Sequence, residues 1–532
     1  LVILLFLVFG FDFGLTNVHA NDLGQTIQMA KTNLLQSAQR RENGDYFWHM
    51  PTYYGLQVFS EYILFSKWLG RETQKYSQDD FKQELFRLQK SDGSWLAVND
   101  INRESGDIDP TITNYWALKT LGVSIDDPRM ISAKTFIAKH GGLKKATFTT
   151  KIILAMFGNY PWAEIPKIGD VFFSSWSPVS ADDFAVWVKD TMIAVGYLRR
   201  FEITKDLGID FSLSELFSKD ISEDLADQIK DGANKKDRAD GEKLMSMLLP
   251  AQQPQGNWGF SSVSSFIAIA ALSDFTEHKK EKFAKIKPAM DNGIKRIESQ
   301  LFSPLAHSFF SGIDHESIYC DTALALTSLS QNDSDSVTSN PVTQSAALTL
   351  ASHQHKSGGF YFGEDFSETP DSDDTALAVI ALSAYGERFS ETIERATEFL
   401  ISLQNSDGGW AAFSKNRTGN FFLRHFLNKV VSVDFIYDMS CADITGHVLE
   451  ALSKVKKTSN VAKAIKQGQD YLKSTQSDDV PAWQGRWGSN YLYGTSAAIA
   501  GLIATGESSS NEYIKKSMLW LVSIQIDDGG FG

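Results

Sequence analysis

The chain has 532 residues, room for two or more domains around a large buried core. Its formal net charge of −14 gives a nucleic-acid role little electrostatic support, and its two cysteines, Cys320 and Cys441, cannot build a disulfide framework and lack metal-ligand spacing. No CxxC, HExxH or glycine-rich phosphate loop is present, so no metal or cofactor is expected. The 36 Phe, 16 Tyr and 12 Trp suffice both for core packing and for a cavity walled by aromatic faces.

Residues 1–20 open with an apolar run and reach Val18-His19-Ala20, a step resembling a signal-peptidase site. This segment reads as a signal or membrane anchor, with a simply buried segment as the other reading. It is short for a membrane span, no other stretch reads as transmembrane, and further membrane contact is expected to be monotopic.

Repetition then governs the chain. A weak copy runs from Gln39 to Trp48. LQKSDGSW follows, ending at Trp95, then QQPQGNW at Trp258, HQHKSGGF at Phe360, LQNSDGGW at Trp410, a glycine-free copy from Gln476 to Trp483, and IQIDDGGF at Phe531. Most neighbouring copies are about fifty residues apart, the length of a helix pair. Before each glutamine lies an amphipathic stretch such as TIERATEFLISLQ. After each aromatic comes a more uniformly apolar one such as DTALAVIALSAYG, the pattern of a helix buried on every side. Each repeat therefore supplies an outer and an inner helix, and the fold class is all-α, built of α/α barrels. The glutamine is expected to bond free carbonyls at the helix end or N–H groups of the next helix, and the aromatic plate to pack across the neighbouring repeat.

One run stands apart: Asp371-Ser372-Asp373-Asp374-Thr375-Ala376 places three carboxylates in four residues before an apolar helix. Carboxylates so close cannot all ionise cheaply, so at least one is expected to keep its proton near neutral pH. A protonated carboxyl facing an apolar cavity can donate H⁺ to a group as weakly basic as an alkene. The same residues also fit a solvated helix N-cap. His447 lies on another apolar helix, where it fits either a core position or a partner for the acid.

With the Gln-Gly-aromatic repeats, DSDDTA, GNYPWAEIPKIG near Trp162, CADITGHVLEAL from Cys441 and GRWGSNYLYGTSAA from Gly485, the chain resembles the squalene–hopene cyclases, class II triterpene cyclases, from about Gln39 onward. The resemblance implies two α/α barrels, one inserted into the other, with an apolar cavity between them. Residues 50–312 would form the inserted barrel, and 21–49 plus 313–532 the catalytic one. It further implies protonation of a terminal alkene of squalene and a cationic polycyclisation to a hopene- or hopanol-type triterpene. Cyclisation of another C30–C35 polyprene, or a non-catalytic lipid-binding toroid, are the alternatives. Partners would be the polyprene and a bacterial membrane, with a homodimer compatible.

Carried over by position, Asp373 would be the proton donor. Asp371 and Asp374 would hold its proton and absorb the charge left after transfer. His447 would hydrogen-bond the acid, with Asp443 four residues before it and Asp321 a further carboxylate nearby. Trp187, Phe362, Phe413, Trp487 and Tyr493 match cavity aromatics, whose faces attract a carbocation by about 0.5–2 kcal/mol each without bonding to it. Cys320 stands where hopene-forming relatives usually have Trp, and Ser261–Phe266 replaces a segment that organises the terminating water. The chain stops at Gly532 immediately after a repeat, where relatives continue, so a C-terminally incomplete catalytic barrel is expected.

Overall fold

Four outer helices leave the helical conformation at a glutamine, and all four glutamines adopt nearly the same backbone angles: Gln89 (φ −66°, ψ 131°), Gln252 (−58°, 127°), Gln404 (−56°, 127°) and Gln476 (−59°, 134°). This exit builds the architecture. A computed structural model describes residues 20–49, 52–53, 55–71, 75–97, 103–169, 173, 185–232, 241–259, 261–302, 313–315, 317–330, 334–416, 437–487 and 490–526. Among these the fold is all-α, with four strands of two or three residues: β1 (Gln39–Arg40) pairs with β2 (Tyr46–Phe47), and β3 (Thr52–Tyr53) with β4 (Ile313–His315).

The described residues fall into two units. One holds residues up to 49, 317–416 and 437–526; the other holds 52–302 and 313–315. The boundary lies after 315 instead of at 313 because β4 pairs with β3 of the middle unit.

The first unit begins with α1 (Ala20–Gln36). The middle unit follows with α2 (Leu56–Trp68), α3 (Gln78–Leu88), α4 (Ile108–Thr120), α5 (Pro128–Lys139), α6 (Phe148–Met156), α7 (Val186–Phe201), α8 (Lys219–Gly232), α9 (Glu242–Leu248), α10 (Ser262–His278) and α11 (Phe283–Leu301). Helices α4, α2, α10 and α7 pack against one another in that order as the inner layer; α5 and α11 cover them from outside. The serines that replace the expected segment at 261–266 start α10, whose N-cap Ser261 Oγ accepts from the Ser264 N–H at 3.2 Å. The charged stretch 218–243 contributes α8.

The first unit resumes with α12 (Ile318–Ser330), α13 (Ser334–Ser339), α14 (Pro341–Ser352), α15 (Ser372–Ser383), α16 (Ser390–Leu403), α17 (Ala442–Ser453), α18 (Ser459–Thr475), α19 (Asn490–Ala504) and α20 (Glu512–Ser523). The inner helices α12, α15, α17 and α19 pack in sequence, and α14, α16, α18 and α20 each back one of them. The split follows composition. Helix α15 is buried from Ser372 to Leu382, whereas α16 buries only Ala396, Thr397 and Leu400 and turns its charged face outward.

The repeat residues act as staples. Gln404 Nε2 donates to the carbonyl of Gly408 in the turn (2.8 Å) and to that of Ala464 in the next outer helix (2.9 Å). Gln89, Gln252 and Gln354 do the same with Gly93 and Arg129, Gly256 and Ala289, and Gly358 and Thr392. Both partners are carbonyls; no N–H of the next helix is used, because the amide nitrogen carries two donors and faces two acceptors. The indole N–H of Trp95, Trp258, Trp410 and Trp483 donates back to a leucine carbonyl of the preceding outer helix, as in Trp410 to Leu400 at 2.7 Å. Gly408 permits the turn: it sits at φ 91°, and a Cβ there would meet the Gln467 carbonyl oxygen at 2.4 Å.

Among the described residues a further bond joins each repeat aromatic to the next inner helix. The backbone N–H of Trp95, Trp258, Phe360, Trp410 and Trp483 donates to the hydroxyl of Thr111, Ser265, Thr375, Thr445 and Thr495, at 2.8–3.1 Å. The weak first copy obeys the same rule: Trp48 N–H donates to Thr322 Oγ1 at 3.0 Å, and its indole to the Leu34 carbonyl. The hairpin β1–β2 is therefore a genuine repeat of the first unit, joined to a helix 274 residues later.

Candidate active site

Helix α15 begins at the acid run, which both caps the helix and crowds its carboxyls. Asp371 is the N-cap: it is extended (φ −129°, ψ 168°), and its Oδ1 accepts from the Asp374 N–H at 2.8 Å. The cap is not solvated, however. Asp371, Asp373 and Asp374 are 4%, 8% and 6% exposed, a depth at which carboxyls require partners. The backbone fixes the start of the helix from two sides, with Asp371 N–H donating to the Phe360 carbonyl (2.9 Å) and Ser372 N–H to the Ala412 carbonyl (2.7 Å).

The three carboxyls have different surroundings. Burial, then the charge of Asp374 and the hydrogen bond between these two carboxyls, raises Asp371 far above the usual carboxylate range. Burial also pushes Asp374 up to about 6. The charges of Asp373 and Asp321 add to this, against hydrogen bonds from Asp371 and Cys320. Asp371 and Asp374 thus share a proton as a coupled pair. Asp373 turns to α17, where His447 Nδ1 lies 2.6 Å from its Oδ1. Burial disfavours a charged imidazole, but the charge and hydrogen bond of Asp373 prevail and lift His447 to about 9. At neutral pH His447 is therefore an imidazolium whose Nδ1–H donates to Asp373.

The other sequence-derived candidates divide by location. Asp321, at the start of α12, is buried and accepts from Ser317 Oγ at 2.5 Å; its charge reaches Asp374 and Cys320. Cys320 is half-buried. Its thiol is raised well above its usual value by burial and then by the charges of Asp374, Asp321 and Asp373, and it hydrogen-bonds Asp374. Tyr493 sets its ring edge-on to His447, with centroids 5.7 Å apart, and its hydroxyl is held up by burial and the field of Asp373. Phe362 is half-buried, and its carbonyl accepts from the Cys320 N–H at 3.4 Å. These residues converge on the acid run.

Asp443 belongs to the neighbouring turn. It is fully buried, and its Oδ2 accepts the backbone N–H of Arg486 (2.8 Å) and Trp487 (2.9 Å). Its charge also supports the raised His447. Phe413 is half-buried, and Trp487, at 38%, is the most exposed of the described candidate aromatics. The side chain of Trp187, and all of residues 1–19, lie outside the described residues.

Two residues of this region escaped sequence reasoning. Asp438, buried, and Arg486, half-buried, lie beside Asp443 and bind mostly backbone, a role with no motif. The threonine that recurs one turn into the inner helices, in CDTA, DDTA, DITG and GTSA, was a readable signal, because each of these copies bonds an aromatic N–H.

Comparison with known proteins shows the family of the chain. A family model described as the squalene-hopene cyclase C-terminal domain matches residues 318–532, and its N-terminal counterpart matches residues 27–238. A squalene–tetrahymanol cyclase of Tetrahymena thermophila is 28% identical over 469 residues, covering 85% of this chain and 69% of the relative. A squalene–hopene cyclase of Alicyclobacillus acidocaldarius is 28% identical over 529 residues, covering 92% and 80%. Among solved structures, an ent-copalyl diphosphate synthase from Streptomyces platensis superposes with a TM-score of 0.50 at 17% identity, over 95% of this chain and 85% of that one, a likeness of fold.

Proposed function

Because the chain belongs to the squalene–hopene cyclase family, a family of class II terpene cyclases, we propose that it protonates a terminal alkene of squalene and steers the resulting cation through a polycyclisation. The observation that carries this reading is the buried 2.6 Å contact of Asp373 with His447, beside a carboxyl pair that retains its own proton. We propose that the reacting form carries its proton on Oδ2 of Asp373, while His447 keeps its hydrogen bond to Oδ1. A donor already hydrogen-bonded to one oxygen stabilises the carboxylate formed when the other gives up H⁺.

In the proposed step the O–H bond of Asp373 breaks and its electron pair stays on the carboxylate. The π pair of the terminal alkene forms the new C–H bond, leaving a tertiary cation. Successive alkenes attack in turn, each π pair becoming a C–C bond, until the last cation loses a proton or captures water. Tyr493, Phe362, Phe413 and Trp487 would face these cations with π density that cannot quench them. Burial of the acid keeps bulk water from the first cation. The product would be a cyclic triterpene of the hopene or hopanol type. We propose that the hydrocarbon is taken up at a monotopic membrane contact; among the described residues no helix is long and apolar enough to cross a membrane.

The test is incubation of detergent-solubilised protein with squalene, followed by gas chromatography–mass spectrometry, for wild type and Asp373→Asn. Cyclic triterpene from wild type and none from the variant is expected. Equal product from both would remove Asp373 from its role, and no cyclic product from folded wild type would overturn the squalene reading.

A further inference from the structure

The acid helix, the Phe413 turn and the Trp487 turn are held by one short segment, residues 437–443. Asp438, fully buried, spreads its two oxygens over three consecutive amides. Oδ1 accepts from Ala412 N–H at 3.0 Å, and Oδ2 from Phe413 and Ser414 N–H at 2.7 Å each. The same Ala412 offers its carbonyl to the N–H of Ser372, the first residue of α15. On the other side the Arg486 guanidinium donates to the Met439 carbonyl at 2.8 Å and lies 3.8 Å from Asp438 Oδ1. The backbone of that same residue, and of Trp487, is gripped by Asp443.

A carboxylate that accepts three backbone amides is a rigid bracket. It fixes the path of the chain without depending on a mobile side-chain partner. We infer that Asp438 and Arg486 are positioning residues for the cyclisation: they fix the turns that present Phe413 and Trp487 relative to the first turn of the acid helix. This rests on the proposed cyclase reading and extends it. The residues that fold the polyene and those that protonate it then share one scaffold, so loosening the bracket moves the aromatic faces relative to the acid. In a cascade, such a shift alters where the cation stops as well as how fast it forms.

The test compares wild type, Asp438→Asn and Arg486→Lys by product profile and by hydrogen exchange of the backbone amides. A displacement of about 1 Å costs on the order of 10²-fold in turnover. We expect a loss of about that size or somewhat less in Asp438→Asn, with KM changing less than kcat and the surviving product shifted toward prematurely terminated mono- and bicyclic species. Arg486→Lys, which keeps the charge but not the planar fork, should shift the profile in the same direction. Peptides covering 412–414 and 486–487 should lose exchange protection in Asp438→Asn. An unchanged ratio of partial to complete cyclisation in a folded variant would overturn the positioning role, as would unchanged exchange. If Asp438→Asn does not fold, the profile and exchange of Arg486→Lys decide. If wild type forms no cyclic product, the cyclase reading fails by itself, and exchange still judges the bracket.

Discussion

Gly446 and Gly501 bring α17 and α19 into backbone contact: a Cβ on Gly446 would stand 2.2 Å from the Ala497 carbonyl oxygen, and one on Gly501 2.2 Å from that of Gly446. His447 is the next residue, so the same close approach sets the height of the imidazole above Asp373. Gly446→Ala must separate the helices and should cost about 1–3 kcal/mol, read from denaturant unfolding. Activity per folded molecule should fall as well, because His447 moves with its helix. A variant with the wild-type unfolding midpoint would show that the contact carries no strain.

The ion pair predicts a pH window. His447 titrates at about 9 in the folded protein against 6.5 for a free imidazole. Its folded pKa is raised, so its contribution to stability is complete below about 6.5 and disappears as pH rises through about 9. Wild-type unfolding midpoints should decline across that interval. Those of His447→Phe should lack this component, and its product formation should drop by at least about 10²-fold. Parallel midpoint curves would rule out the pair as the source.

The acid run carries an opposing strain. Asp374 titrates at about 6 when folded, above the free value of 3.8, so the folded state holds the proton more tightly and stability falls as pH rises through that range. Asp374→Asn should therefore raise stability at pH 7 by on the order of 1–2 kcal/mol while abolishing product. The gain should vanish below about pH 3, where the wild-type carboxyl is neutral in both the folded and the unfolded state. Destabilisation at pH 7 would contradict this account.

The staples predict losses in α16 and its neighbours. Gln404→Ala removes both amide hydrogen bonds and leaves the Gly408 and Ala464 carbonyls without that donor, at a cost of about 1–3 kcal/mol. Trp410→Phe keeps much of the ring packing but strips the Leu400 carbonyl of its indole donor, and should cost a similar amount. Calorimetric Tm values for the two variants check both.

Features set by local composition were legible in the sequence. The inner helices read as apolar on all sides because they are buried on all sides, and the outer ones as amphipathic because only one stripe faces inward. Crowding in DSDDTA announced perturbed carboxyls, and the rival reading of a solvated cap held only in part, since Asp371 caps the helix but is buried. What stayed hidden was set by tertiary geometry. Asp438 reaches amides 24 to 26 positions away in the chain, and side-chain-to-backbone bonds of that kind leave no periodicity. The glutamine's second acceptor also lay out of view, because which carbonyl of the next helix it meets depends on how two helices stack.

The bond from Trp48 to Thr322 imposes an order on biosynthesis. As the ribosome delivers the polypeptide from its N-terminus, the hairpin emerges without the helix it belongs to, while helices α2 to α11, and β3 with β4, can pair before α12 is made. The middle unit should thus become protease-resistant on stalled nascent chains first, with residues 39–49 still cleavable until α12 has left the exit tunnel. A nascent chain whose hairpin resists protease before that point would show that this long-range closure does not time the assembly.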